Sequence, residues 1–223
     1  MIYPEILENP FFKDKSVKKF SKNKVITYTN EIPRNGYIIK TGTVRLYSVD
    51  VNGIERTVSF LGAGDLLAGA YILELSKVNL YFHETVNDVE CLEFPISIFR
   101  TELNTNSELL LALMQKYTLG YYGSLVHVES LVQHRAQDKI LKVLRYLLLR
   151  FGTEEDKGWM SINIRLTQYD IADMIGITRE TVAVELGKLK KDGIVDYKSF
   201  TYRVNVLALG DLVDSSLWYT YRK

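Results

Sequence analysis

Apolar and polar positions change their rhythm once along this chain. Over the first hundred residues, short runs rich in β-branched and aromatic side chains are separated by turn residues. The runs are Lys24 to Thr29, Tyr37 to Lys40, Thr43 to Val49, Glu55 to Leu61 and Glu84 to Phe94. Asn35-Gly36 and Asn52-Gly53 read as turn dipeptides, because both residue types tolerate positive φ. Many short strands at this spacing predict a sandwich or barrel.

From about Ser97 to Gly152 the apolar period lengthens, and glycine and proline nearly vanish apart from Gly120 and Gly123. Leu110, Met114, Tyr117, Tyr121, Ser124, Val128 and Leu131 fall at alternating spacings of four and three, the a/d seam of a coiled coil. Such a seam suits a dimer interface between two copies of the helix, or packing against the chain's own β domain. Its sustained length favours the dimer. Gly120 is its soft point, since glycine inside a helix costs about 1 kcal/mol against alanine. A second helix is predicted from Arg135 to Phe151, with Ile140, Val143, Leu144, Leu147 and Leu148 on one side. Glu154 to Gly158 is a polar break before a strand from Trp159 to Leu166.

Thr167-Gln168-Tyr169-Asp170 has the pattern of a capping box, with aspartate where glutamate or glutamine is usual. Ile171, Ala172 and Ile175 supply the apolar face of the helix that follows. Gly176-Ile177 turns the chain, and Thr178 caps a second helix to Lys191 whose Val182, Leu186 and Leu189 face the core. Gly193 ends it, and strands around Val195 to Tyr197 and Tyr202 to Val206 form a winged hairpin. This is the helix-turn-helix plan, in which the second helix enters the major groove of DNA. Its leading residues are then Arg179, Glu180, Thr181, Ala183 and Val184, with Thr167, Gln168 and Thr178 at the two helix starts. Arginine can donate twice to guanine, and glutamate can accept from the cytosine amino group. Lys188, Lys190, Lys191 and Lys198 are placed to meet phosphates; a solvated helix end that complements the macrodipole accounts for them equally well.

Composition adds limits rather than direction. At 223 residues, 47% hydrophobic and 25% charged, the chain has the make-up of a folded protein of one or two domains. A formal net charge of +1 gives no bulk attraction to nucleic acid, so a DNA reading rests on the local motif. The single cysteine, Cys91, excludes an intrachain disulfide and a multi-cysteine metal site; it reads as a small core residue. The start, Met1 to Glu5, lacks a basic region followed by an apolar run, and no stretch approaches the roughly 20 apolar residues that span a bilayer. A cytoplasmic protein with no membrane partner is expected.

The run Thr167 to Val182, continuing from Leu189 to Val195, strongly resembles the Crp/Fnr family of bacterial transcription regulators. Gly42-Thr-Val-Arg-Leu-Tyr47, Asn52-Gly53, Phe60-Leu-Gly-Ala-Gly-Asp-Leu66 and Asp138 to Leu144 fit the same family, so the resemblance covers nearly the whole chain. It implies an α+β fold in three parts. Residues 1–104 would form a cyclic-nucleotide-binding-like β-roll (jelly roll), 105–134 a long dimerisation helix, and 135–223 a winged helix-turn-helix. It further implies a homodimer on a palindromic operator in double-stranded DNA, acting on RNA polymerase, with no catalytic activity and no bound cofactor.

Departures from the family narrow the expectation. Members that bind cyclic AMP carry an Arg-Ser pair for its phosphate, and here no arginine lies between Arg56 and Arg100, so cyclic AMP is not expected. Members with an iron–sulfur cluster use four cysteines, and this chain has one. Gly64, Tyr81, Tyr121 and Ser124 remain as candidates for an effector pocket of unknown preference. The 15 tyrosines would suit such a pocket and are equally good strand material. Where family members place another base-reading arginine, this chain has Val184, followed by Glu185. A β-roll metalloenzyme of the cupin type would need clustered histidines; the β region holds only His83, which reads as an ordinary surface or hydrogen-bonded histidine rather than a haem ligand. A cyclic-nucleotide-binding-like module without a DNA role is the other alternative, and the intact second domain opposes it.

Overall fold

A computed structural model describes residues 5–155 and 158–210 of the chain. The first part runs α1 (Glu5–Glu8), β1 (Ser16–Phe20), β2 (Val25–Thr27), β3 (Asn35–Thr41), β4 (Val44–Val49), β5 (Glu55–Leu61), β6 (Leu66–Leu67), α2 (Gly69–Ile72), β7 (Phe82–Thr85), β8 (Val89–Pro95), α3 (Ile96–Thr105) and α4 (Ser107–Leu131). There follow α5 (Ala136–Phe151), β9 (Gly152–Glu154), β10 (Trp159–Ile162), α6 (Gln168–Ile175), α7 (Arg179–Lys191), β11 (Val195–Lys198), β12 (Thr201–Asn205) and α8 (Val206–Gly210). The chain divides into two compact units, which meet between Tyr117 and Thr118, inside α4.

The first unit is the β-roll. Two four-stranded antiparallel sheets, ordered β1-β8-β3-β6 and β2-β7-β4-β5, place their alternating apolar positions inward. Ile39, Val44, Leu67, Val89 and Cys91 form one buried cluster between them. Cys91 is a core residue, and burial pushes its thiol up to about 12. A second cluster joins Ile6, Phe12, Ile38, Ile72, Phe94 and Phe99 to Leu109 and Leu113 of α4. The rings of Phe94 and Phe99 lie 4.7 Å apart.

Several local expectations are corrected by the fold. Asn35-Gly36 is not a turn: both residues open β3, with Gly36 opposite Phe94. A Cβ at Gly36 would lie 2.5 Å from the Phe94 ring, so the glycine serves close approach instead of positive φ. Asn52-Gly53 does turn, with Gly53 at φ +78° and the Asp50 carboxylate accepting from the backbone N–H of Asn52 and Ile54. The run Glu84 to Phe94 is divided between β7 and β8. The intervening loop is fastened by Asn87 and Asp88, which accept from the backbone N–H of Thr43 and Lys22. The helical stretch from Ser97 breaks at Asn106, whose side chain accepts from the Leu109 N–H at 2.9 Å and so caps α4.

In the second unit, α5 buries Ile140, Val143, Leu144, Leu147 and Leu148. The expected two-stranded wing is the edge of a four-stranded antiparallel sheet, ordered β11-β12-β10-β9. The strand expected from Trp159 to Leu166 ends at Ile162. Of the polar break, Asp156 and Lys157 lie outside the described residues, as does everything after Gly210. Among the described residues no helix is long and apolar enough to cross a membrane.

Candidate nucleic-acid interface

The two helices of the motif are fixed at both ends. Thr167 accepts from the Asp170 N–H at 3.1 Å, and Asp170 accepts from the Thr167 N–H at 2.7 Å, so aspartate completes the capping box. At the other end of α6, Gly176 adopts φ +64° and closes the helix in the left-handed region. The last carbonyls of α6 are also taken: the His127 ring donates to the Met174 carbonyl at 2.9 Å, and the Lys139 ammonium to that of Ile175 at 3.2 Å. Helix α6 is thereby held to α4 and α5. Thr178 caps α7 by accepting from the Thr181 N–H, and its hydroxyl lies 2.9 Å from that of Thr181.

Burial sorts the residues of α7 by face. Val182, Leu186 and Leu189 are buried. Glu180, Val184, Lys188 and Lys191 are exposed and recur at i, i+4, i+8 and i+11, so they form one outward stripe. Arg179 lies beside them, its guanidinium 4.0 Å from the Glu180 carboxylate. Val184 is 57% exposed, an apolar side chain with no internal reason to face water. Ala183 is half-buried beside the stripe, as are Gln168 and Thr181, while Thr167 and Thr178 are exposed at the two helix starts.

The lysines are less free than the sequence implied. Lys188 pairs with Glu185 at 2.7 Å, and Lys190 with Asp196 of β11 at 2.7 Å. That hydrogen bond raises the Lys190 ammonium and lowers the Asp196 carboxyl from their ordinary values. Lys191 and Lys198 are exposed. Gly187 escaped the sequence reading. It sits on α7 where an added Cβ would meet nothing within 4 Å, so no packing inside the chain requires glycine there.

The outer seam of α4 is exposed along its length. Leu110, Met114, Tyr117, Tyr121, Val128 and Leu131 are 40–62% exposed, and Ser124 is exposed among them. A different set, Leu109, Leu113, Leu119 and Val126, is the buried face. The Ser124 hydroxyl donates back to the Gly120 carbonyl at 3.0 Å.

Of the effector-pocket candidates, Gly64 and Tyr81 belong to the β-roll unit, and Tyr121 and Ser124 to the second unit. Gly64 is buried at φ +81° in the turn before β6. Asp65 in the same turn accepts from the Gly62 N–H and pairs with Lys116, which also donates to the Ala63 carbonyl. Asn79 is buried and donates to Thr27 and to the carbonyls of Tyr28 and Tyr81. The Thr27 hydroxyl is 2.7 Å from Nδ1 of His83, and Nε2 of His83 accepts from the Ala68 N–H. His83 is thus a buried, hydrogen-bonded residue, and burial pulls its pKa down to about 4.

Between Arg56 and Arg100 the cations are lysine and histidine: Lys77 is exposed, and His83 is held neutral by burial. Against Gly69, where α2 begins, stands the Tyr117 hydroxyl, 1.9 Å from where a Cβ would be.

Residues 17–106 match the cyclic nucleotide-binding domain family, and residues 142–214 match the Crp-like helix-turn-helix domain family. The chain is 26% identical over 180 residues to the global nitrogen regulator of Nostoc sp., covering 80% of each protein. It is 24% identical over 180 residues to the nitrogen fixation regulation protein FixK of Azorhizobium caulinodans, covering 81% of this chain and 71% of that one. Its fold resembles that of FixK2 from Bradyrhizobium japonicum at a TM-score of 0.69 and 20% identity, over 89% of this chain and 96% of that one. A cyclic nucleotide-binding domain, a long helix and a Crp-like helix-turn-helix, in that order in one chain, make this protein a DNA-binding transcription regulator of the Crp/Fnr family.

Proposed function

We propose that the protein works as a homodimer on a palindromic operator, with α7 of each copy in the major groove of one half-site. The exposed apolar seam of α4 carries the dimer reading. Side chains of this size left in water over so long a stretch are stabilised by burial against a second copy, at about 25 cal/mol per Å² of apolar area. Two-fold symmetry then sets the half-sites about one helical turn apart. Arg179, Glu180, Ala183 and Val184 read base edges, with Thr181 beside them. Thr167, Gln168, Thr178, Lys188 and Lys198 meet the backbone.

Control does not run through cyclic AMP. No arginine lies between Arg56 and Arg100, the histidine nearby is neutral, and Tyr117 takes up the space beside Gly69. An effector of different chemistry, lodged near Gly64 and Tyr81 or near Tyr121 and Ser124, would shift the populations of two dimer states. The protein acts in the cytoplasm through RNA polymerase and has no chemistry of its own to perform.

Sedimentation of the wild type and of Val128→Glu tests the dimer, and a gel shift on duplexes selected from a random pool tests the operator. The expected result is a dimer that shifts palindromes, and a variant that is monomeric and binds far more weakly. A wild-type monomer that shifts single half-sites equally well overturns the reading.

A further inference from the structure

The tip of the wing is built against its own backbone preference. Lys198 pairs with Thr201, which leaves Ser199 and Phe200 as a two-residue loop. Ser199 has φ +49° and Phe200 φ +71°. Two consecutive positive φ values make the turn suited to a twisted hairpin, and the residues that adopt it readily are asparagine and glycine. A bulky side chain in the left-handed region is strained. Phe200 is nevertheless there, and 55% exposed, so packing inside the chain does not explain it.

The tip is also held in position. The Phe200 carbonyl accepts from the Leu166 N–H at 3.1 Å, directly before the Thr167 cap of α6. The Thr201 hydroxyl donates to the Lys198 carbonyl across the hairpin mouth. β11 packs against α7. A helix with its side chains is about 10–12 Å across, comparable with the width of the major groove it fills. An element lying beside that helix therefore comes down on the sugar-phosphate rim and the adjoining minor groove.

We propose that Phe200 is a DNA-contact residue, an apolar side chain that packs on the deoxyribose and base edges of the minor groove flanking the half-site. The contact rests on the placement of α7 in the major groove. It adds affinity without neutralising a phosphate, in the manner of apolar side chains that other proteins set into minor grooves. Lys198, two residues away on the same hairpin, supplies the charged partner to the rim.

Phe200→Asn separates this role from a structural one, because asparagine relaxes the turn while removing the ring. Binding is measured as a function of salt on a duplex selected by the wild-type protein from a random pool, with long and with trimmed flanks. Expected for Phe200→Asn is a raised unfolding temperature together with about tenfold weaker binding to the long duplex, the scale of one aromatic contact to a nucleotide. The slope of log affinity against log salt stays unchanged, and the loss disappears on trimmed flanks. Lys198→Ala should instead lower that slope by about one phosphate contact. Wild-type affinity in Phe200→Asn on the long duplex, or a loss that tracks the salt slope, overturns the proposal. If the wild type selects no duplex at all, the groove placement itself fails and this contact fails with it.

Discussion

The hydroxyl of Tyr117 stands where the first carbon of any side chain at position 69 would have to go. An ideal Cβ on Gly69 lies 1.9 Å from that oxygen and 3.2 Å from Cζ of the same ring. The α4 helix thus reaches the first residue of α2 through one aromatic side chain. Although part of the Tyr117 ring is exposed, its hydroxyl end is buried against Gly69, and that burial pushes the phenol up to about 12, with the charge of Asp65 adding to the effect, so the hydroxyl stays protonated at any physiological pH. Gly69→Ala should destabilise the β-roll by about 1–3 kcal/mol, the usual cost of forcing extra volume into a packed site. Tyr117→Phe in the same background should recover part of the loss, because it removes the clashing atom. A double-mutant cycle in denaturant measures the coupling; additive losses would show that the two residues do not meet.

His83 gives the fold a pH dependence of known sign. Burial holds its pKa near 4, below the usual value of 6.5, and a hydrogen bond to the Tyr81 backbone only partly opposes this. Above pH 6.5 the ring is neutral whether the chain is folded or not, and the full stability is present. As the pH falls below that point the unfolded chain takes up a proton that the folded chain refuses, so stability declines until the folded ring titrates near pH 4. The loss over this window is on the order of 3 kcal/mol. His83→Asn should flatten the unfolding curve between pH 4 and 6.5 relative to wild type.

With α7 in the major groove as proposed, Val184 and Glu180 would set what the half-site looks like. Valine offers no donor to guanine and can meet a thymine methyl, so Val184→Arg should move operator preference at one step toward guanine. Glu180→Ala should cost about 1–3 kcal/mol of discrimination at a single base pair. Selection from random duplexes reads both, and an unchanged preference in Val184→Arg would place α7 differently in the groove.

Gly187 tests how closely α7 is approached from outside. Alanine is worth about 1 kcal/mol over glycine in a helix, and its methyl would touch nothing within the chain. Gly187→Ala should therefore raise the unfolding temperature. If the glycine is there to let a DNA strand come near, the same change weakens operator binding; tighter or equal binding would assign the glycine no role at the interface.

The second unit was the more legible part of the sequence, since its signals are local. The caps at Thr167 and Thr178, the turn at Gly176 and the apolar stripe Val182, Leu186 and Leu189 lie within a few residues of one another, and each appears in the fold. In the β-roll the misses came from distance. β1 was passed over because it is an edge strand with exposed Val17, Lys18 and Lys19, and its pairing with β8 leaves no alternation to read. Gly36 looked like a turn residue until Phe94 arrived from the far end of the sheet. At the interface, exposure of the outward stripe was readable from its period. The bond between Lys190 and Asp196 was not, because it joins a helix to a strand across a turn.

The ion pairs on the motif have a consequence for how the protein searches. Lys188 and Lys190 each carry their own counterion, a carboxylate of the same chain, and the chain as a whole is nearly neutral at +1. Each must give up that carboxylate before it meets a phosphate, so on the proposed interface arbitrary duplex would hold this surface more weakly than unpaired lysines would. Time on the genome would then be spent mostly in short visits, and under the proposed readout a sequence that satisfies Arg179, Glu180 and Val184 together would prolong one. Paired lysines would in this way trade grip for selectivity.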